Sequence, residues 1–215
     1  MDKKLKIGLH IHSWLSADTS WTREQFIDLY KQAGFDILAI CDHNEVAAAQ
    51  ELAKMNLFRI VIGEEISTKE GEIIGLFLKS KIPAGLSMLE TIRQIRVQKG
   101  LICLPHPFDR LRHSAIDLET LKKNLDQIDL VEVFNARSIF KQDDQQALEL
   151  AKRHQIAQIV GSDAHTKSEI TCVYMEIADF NNPDQFLQSI KNGRVIARKS
   201  PIWVHLLTKI KKIKN

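Results

Sequence analysis

Seven short hydrophobic, strand-like runs in this chain each end in a histidine, an aspartate or a glutamate. The run ends are His10-Ile11-His12, Asp42-His43-Asn44, Gly63-Glu64-Glu65, Glu72, Pro105-His106-Pro107, Glu132 with Asn135, and Gly161-Ser162-Asp163-Ala164-His165. One such end constrains little. Seven place imidazoles and carboxylates on a single rim of one sheet or barrel, which is the arrangement of a polynuclear metal site.

Between these runs lie helical patterns. Thr22–Ala33 carries Phe26, Leu29 and Tyr30 on one face, with Gly34 as its stop. Glu45–Met55 is alanine-rich, Ser87–Gln98 stops at Gly100, and Leu118–Leu125, Asp143–His154 and Pro183–Lys191 complete the set. Strands are expected at Lys6–Ser13, Ile37–Cys41, Arg59–Ile62, Ile73–Leu78, Leu101–Leu104, Leu130–Phe134, Ile156–Val160 and Cys172–Ile177. A βαβα alternation of this kind predicts an α/β fold with mostly parallel strands and functional groups at their carboxyl ends.

The chain has 215 residues, enough for one well-buried core. One domain is expected over residues 1–199, followed by a basic tail, residues 200–215, ending in KIKKIKN. A net charge of +3 gives no argument for a stable nucleic-acid partner and suits a phosphorylated substrate. Cys41, Cys103 and Cys172 are odd in number, widely spaced and set in apolar runs, so they read as buried thiols of a reducing compartment. No signal peptide and no apolar stretch approaching the roughly 20 residues of a membrane span is seen, so the expected location is the cytoplasm.

His10 and His12 stand two apart, so as strand residues both imidazoles reach one metal. Asp163 and His165 repeat that spacing. Asp42 and Asn44 have turn and helix-cap roles beside His43. Glu64 and Glu65 face opposite ways, and Glu65 is the choice for a carboxylate bridging two cations. Pro105 and Pro107 restrict the backbone on either side of His106. Mixed histidine and carboxylate ligation without thiolates suits zinc, manganese or iron. A Ser-His-Asp triad lacks its GxSxG elbow, and there is no Walker A loop or GxGxxG.

The ordered set HxH, DH, GxE, PHP, SDAH resembles the PHP family, the polymerase-and-histidinol-phosphatase phosphoesterases, from about Lys6 to Arg198. The resemblance implies a distorted (β/α)7 TIM-like barrel with three divalent metal ions in a cleft at the strand carboxyl ends. It implies His10, His12, Glu65 and Asp163 around the first metal. Glu65 bridges to a second metal that His106 also binds, with Glu72 standing where a histidine is common. It implies His43 and His165 on the third metal, with Asp18 as the acid from the loop after the first strand, one residue later than the usual place.

The resemblance implies hydrolysis of a phosphomonoester or phosphodiester of a small molecule or nucleotide by metal-bound hydroxide. Asp163, His43 and His165 are the residues expected to carry the chemistry. Arg110 and Arg137 lie just beyond strand ends, placed either to grip phosphate or to remain solvated, and His113 is a candidate for the pocket rim. Trp14 and Trp21 flank the Asp18 loop, placed to stack on a base or sugar or to pack the barrel mouth. His154 and His205 are assigned no role. The competing readings are an amidohydrolase-type metal hydrolase, whose bridging carboxylated lysine finds no counterpart here, and a non-catalytic module that binds metal or nucleic acid.

Overall fold

Capping and burial account for most helix positions. The computed structural model describes residues 3–112 and 116–200. Helix α1 (Arg23–Gln32) begins at a capping box in which the Thr22 hydroxyl accepts the Gln25 N–H and the Gln25 side chain accepts the Thr22 N–H. It buries Phe26, Ile27 and Tyr30. Helix α3 (Met88–Val97) is capped by Ser87, α4 (Leu118–Asn124) by Asp117, and α6 (Pro183–Lys191) by Asn182 with Pro183 at its first position. Helices α2 (Ala47–Met55) and α5 (Lys141–Arg153) have no side-chain cap.

Nine strands form one sheet: β1 (Leu5–Ile11), β2 (Ile37–Ile40), β3 (Arg59–Thr68), β4 (Gly71–Leu76), β5 (Leu101–Leu104), β6 (Leu130–Asn135), β7 (Ala157–Gly161), β8 (Val173–Ile177) and β9 (Arg194–Ala197). Their order is β7-β6-β5-β4-β3-β2-β1-β8-β9. The first seven curl into the expected α/β barrel, distorted and nearly closed. At the seam the Ser162 and Asp163 N–H groups bond to the carbonyls of Leu9 and His10, and Ile11 bridges Ala164. Strand β1 serves both sides: Leu5–Ile7 pairs antiparallel with β8, and its far end meets the segment after β7.

The expectation of mostly parallel strands holds for six of the seven barrel strands, with β4 the exception. β1-β2-β3 and β5-β6-β7 are parallel blocks, but β4 runs antiparallel to both β3 and β5. Only two residues, Lys69 and Glu70, separate β3 from β4, and so short a connection makes a hairpin rather than a crossover. β3 also runs six residues past the expected Ile62, and this outer part pairs with β4 and bridges His43 at Glu65. β9, not expected from sequence, pairs with β8 at the sheet edge.

Inside the barrel lie Ile7, Leu9, Ala39, Cys41, Ile74, Cys103, Leu130 and Ile159. The helices cover the outside through two further clusters, one around Ile66, Ile92 and Leu104 and one around Phe26, Tyr30 and Leu52. All three cysteines are free and buried. Burial pushes the Cys41 thiol up to about 12 and Cys103 well above its usual range. Among the described residues no helix is long and apolar enough to cross a membrane. The tail beyond Ser200 and the candidate His113 lie outside the described residues.

Candidate metal centre

The barrel rim collects candidate ligands from six of the seven strands of the ring. His10 and His12 come from β1 and its end, His43 from the end of β2, Glu65 from β3, His106 from the end of β5, and Asp163 and His165 from the end of β7. Glu72 opens β4. Because that strand is antiparallel, its amino end reaches the rim where the others present their carboxyl ends. Asp18, in the loop after β1, completes the nine residues singled out in the sequence, and the fold brings all nine together.

The local backbone is not that of regular strands. His10, His106 and Asp163 have φ of 51°, 24° and 47°. Left-handed conformations are uncommon for residues with a side chain and each costs on the order of 1–3 kcal/mol. β1 shifts register between Gly8 and Ile11, and β7 ends at Gly161. The pairs His10/His12 and Asp163/His165 therefore converge through left-handed kinks, not through the simple alternation of an extended strand.

The spacings fall into three groups. His12 Nε2 is 3.2 Å from His10 Nε2, 3.3 Å from Glu65 Oε2 and 3.2 Å from Asp163 Oδ1, and His10 Nε2 is 3.2 Å from Glu65 Oε2. The other oxygen, Glu65 Oε1, lies 3.1 Å from His106 Nε2. Asp18 Oδ2 is 2.7 Å from His165 Nε2 and 3.3 Å from His43 Nε2. His43 Nδ1 faces Glu65 Oε2 at 3.3 Å and Glu72 Oε1 at 3.7 Å. Two donors about 2.0–2.2 Å from one ion, at tetrahedral or octahedral angles, lie about 2.8–3.6 Å apart. The donor types and spacings thus fit divalent cations.

Electrostatics agree. Burial pulls the His12 imidazole down to about 4, despite Asp163 beside it. Burial acts the same way on His43, but Glu65, Asp18 and Glu72 outweigh it and lift that group to about 9. Burial pushes the Glu65 and Asp163 carboxyls up; His10 and His43 around Glu65, and Arg112 and the histidines around Asp163, overcome it and hold both well below the usual range. Carboxylates and imidazoles so concentrated in a buried space form a donor set that suits divalent cations.

Arg110 is held by Asp143, through Nε at 3.0 Å and Nη2 at 2.7 Å, and lies over the Phe140 ring. Arg137 sits beside buried Glu169, 3.8 Å from its Oε1. The guanidinium that reaches the centre is that of Arg112, which sequence reading passed over: it pairs with both Asp163 and Asp109. Only its two-residue offset from Arg110 hinted at this. Glu132, a strand-end acid in the sequence pattern, is absent from the nine candidate ligands, and Glu169 carries no sequence signal at all. Glu169 Oε2 accepts the backbone N–H groups of His165 and Thr166, and so fixes the loop that carries His165. Glu64 turns away and accepts the Ile82 N–H. Trp14 and Trp21 pack edge-on against Phe26 at the mouth.

Beside His165 opens a groove of about 480 Å³ along the exposed face of α1, lined by Trp21, Gln25, Leu29, Gln32, His165 and Lys167 among others.

Comparison with known proteins decides the lineage. Residues 142–195 match the family profile described as PHP-associated. An uncharacterized protein of Methanocaldococcus jannaschii is 36% identical over 208 residues, spanning 91% of this chain and 84% of that one. The chain belongs to the PHP family. Solved structures share the PHP fold at low identity. A Bacteroides vulgatus two-domain protein containing a predicted PHP-like metal-dependent phosphoesterase superposes with a TM-score of 0.72 at 15% identity, over 91% of this chain and 65% of that one. This PHP chain thus spans slightly under two thirds of that protein. An amidohydrolase from Chromobacterium violaceum superposes with a TM-score of 0.59 at 17% identity, over 93% and 95% of the two chains.

Proposed function

We propose that this PHP protein is a metal-dependent phosphoesterase that hydrolyses a phosphomonoester or phosphodiester of a small molecule or nucleotide, using three divalent ions (zinc, manganese or iron). The observation that carries the reading is the Glu65 carboxylate. One oxygen stands 3.2–3.3 Å from ring nitrogens of His10, His12 and His43, and the other 3.1 Å from His106. A carboxylate so placed would serve more than one divalent cation, as two-metal phosphoryl chemistry requires. His10, His12, Glu65 and Asp163 would hold the first ion; Glu65, His106 and Glu72 the second; Asp18, His43 and His165 the third. Divalent ions held there would activate water at neutral pH and neutralise charge on the phosphoryl oxygens.

The chain's own groups do the rest. Arg112 grips a phosphoryl oxygen from beside Asp163, using the planar fork suited to that anion. Arg137 would serve as a rim contact, while Arg110 is engaged by Asp143. The groove along α1 takes the group esterified to phosphate. His165, at the groove, is placed with His43 to steer the proton towards the leaving oxygen. The phosphoesterase named in the Bacteroides neighbour supports this reading. The amidohydrolase neighbour supports a second, amide hydrolysis at the same ions. Against it, a glutamate, Glu65, stands where a carboxylated lysine would bridge.

The test is metal-free protein reloaded with manganese, zinc or iron and assayed on chromogenic phosphomonoester, phosphodiester and anilide substrates. Ester hydrolysis that needs metal, and that Asp163→Ala lowers by at least about 100-fold, as expected for loss of a group acting on transition-state charge, supports the proposal. Anilide cleavage alone would favour the second reading. A metal-loaded protein inert on all three would remove the enzymatic assignment.

A further inference from the structure

We infer that Glu132 is a positioning residue that ties the first and second metal-holding groups together; the inference rests on the metal-site reading above. Glu132 lies within β6 with 1% of its surface exposed. Its Oε1 accepts from His10 Nδ1 at 2.9 Å. Its Oε2 accepts the His106 backbone N–H at 2.8 Å and an Asn135 amide N–H at 3.0 Å. Two candidate ligands on separate strands therefore meet on one carboxylate, which lies close enough to both to form a cluster with them and spends its oxygens on the His10 ring N–H and the His106 backbone N–H.

The neighbouring strand makes room for it. A Cβ on Gly161, at the end of β7, would stand 1.6 Å from Glu132 Oε1 and 3.0 Å from His10 Cβ. Both Glu132 oxygens are engaged, so the carboxylate has no free direction in which to yield. Gly161 keeps open the volume this side chain needs.

The chemistry follows from the geometry. With His10 Nδ1–H donated to Glu132, Nε2 is the ring nitrogen left to ligate an ion, on the side of Glu65 and His12. A carboxylate behind a metal-binding imidazole fixes its tautomer and ring plane and raises its basicity. The bond to the His106 N–H holds that residue in its left-handed turn, with Nε2 towards Glu65. Filling space does not require this residue: the β6 neighbours Leu130 and Val131 are apolar, and burying a carboxylate carries a desolvation cost that an apolar side chain would not.

The experiment compares wild type, Glu132→Gln and Gly161→Ala as metal-free protein titrated with zinc. Affinity is read by chelator competition, occupancy by elemental analysis, and the His10 tautomer by ¹⁵N ring shifts of the zinc-loaded form. Glu132→Gln keeps size and shape, and so reports even if Gly161→Ala does not fold. Expected is a roughly 10–100-fold loss of zinc affinity in each folded variant, with the proton no longer locked on His10 Nδ1. Wild-type affinity and an unchanged His10 tautomer in Glu132→Gln overturn the inference while leaving the metal site intact. Failure of wild type itself to bind zinc, manganese or iron removes the metal site and this inference with it.

Discussion

Three of the candidate ligands, His10, His106 and Asp163, sit in left-handed backbone conformations. Strain of this kind persists where surrounding bonds over-determine it, and each residue shows such bonds. Asp163 N–H is held by the His10 carbonyl, His106 N–H by Glu132, and the His10 ring by Glu132 and Glu65. Residue types and spacing were legible in the sequence, because metal ligands come from a short menu. The kinks were not, because they answer to hydrogen bonds from remote strands. The arginines show the same division. Arg110 and Arg112 lie in one loop, and burial beside Asp163 alone distinguishes Arg112. Arg112→Ala should raise KM for a phosphoester about tenfold or more, the scale of one charge-assisted hydrogen bond, and Arg112→Lys should restore part of it. Arg110→Ala, by contrast, should leave KM within about twofold, since that guanidinium is spent on Asp143. Steady-state kinetics with metal content measured in parallel checks both.

Elements were readable wherever a local rule decided them. Pro183–Lys191 matches its sequence reading at both ends, with Asn182 capping and proline at the first position. Helix α1 is set by its capping box, so Thr22→Ala should cost about 1 kcal/mol (range 0.5–2) in urea unfolding and lower activity only through the groove that α1 walls. The stop of α3 shows where a local rule misleads. Gly100 was the expected terminator, yet Lys99 takes the left-handed turn with φ of 61°. Gly100 serves another purpose: a Cβ there would meet the Leu76 carbonyl at 2.7 Å, so glycine lets β4 approach. β3 ran past its expected end because Glu64, Glu65, Ser67 and Thr68 are polar. Hydrophobic pattern marked Ile62 as the end, while cross-strand pairing with β4 carries the strand on to Thr68.

At the scale of the whole molecule the centre is a concentration of carboxylates and imidazoles at the mouth of a closed apolar barrel. Cations that bind the folded form alone should stabilise it, by about 2.7 kcal/mol at a free metal concentration 100 times Kd. Adding zinc or manganese to metal-free protein should therefore raise Tm by several degrees, and chelator should reverse the rise; Asp163→Ala should blunt it. A melting temperature indifferent to metal would contradict the site. The sequence by itself determined the α/β class, the alternation of elements, the nine ring-side candidates and the family resemblance, since each depends on residue type and near-neighbour spacing. The tertiary structure alone decided that β4 runs antiparallel and so brings Glu72 to the rim, that the β1–β7 seam joins His10 to Asp163, that Arg112 and not Arg110 reaches the centre, and that Glu132 stands behind His10 in the space Gly161 leaves open. Those facts are contacts between residues far apart in the chain, and their energies depend on burial and direction that no local pattern encodes.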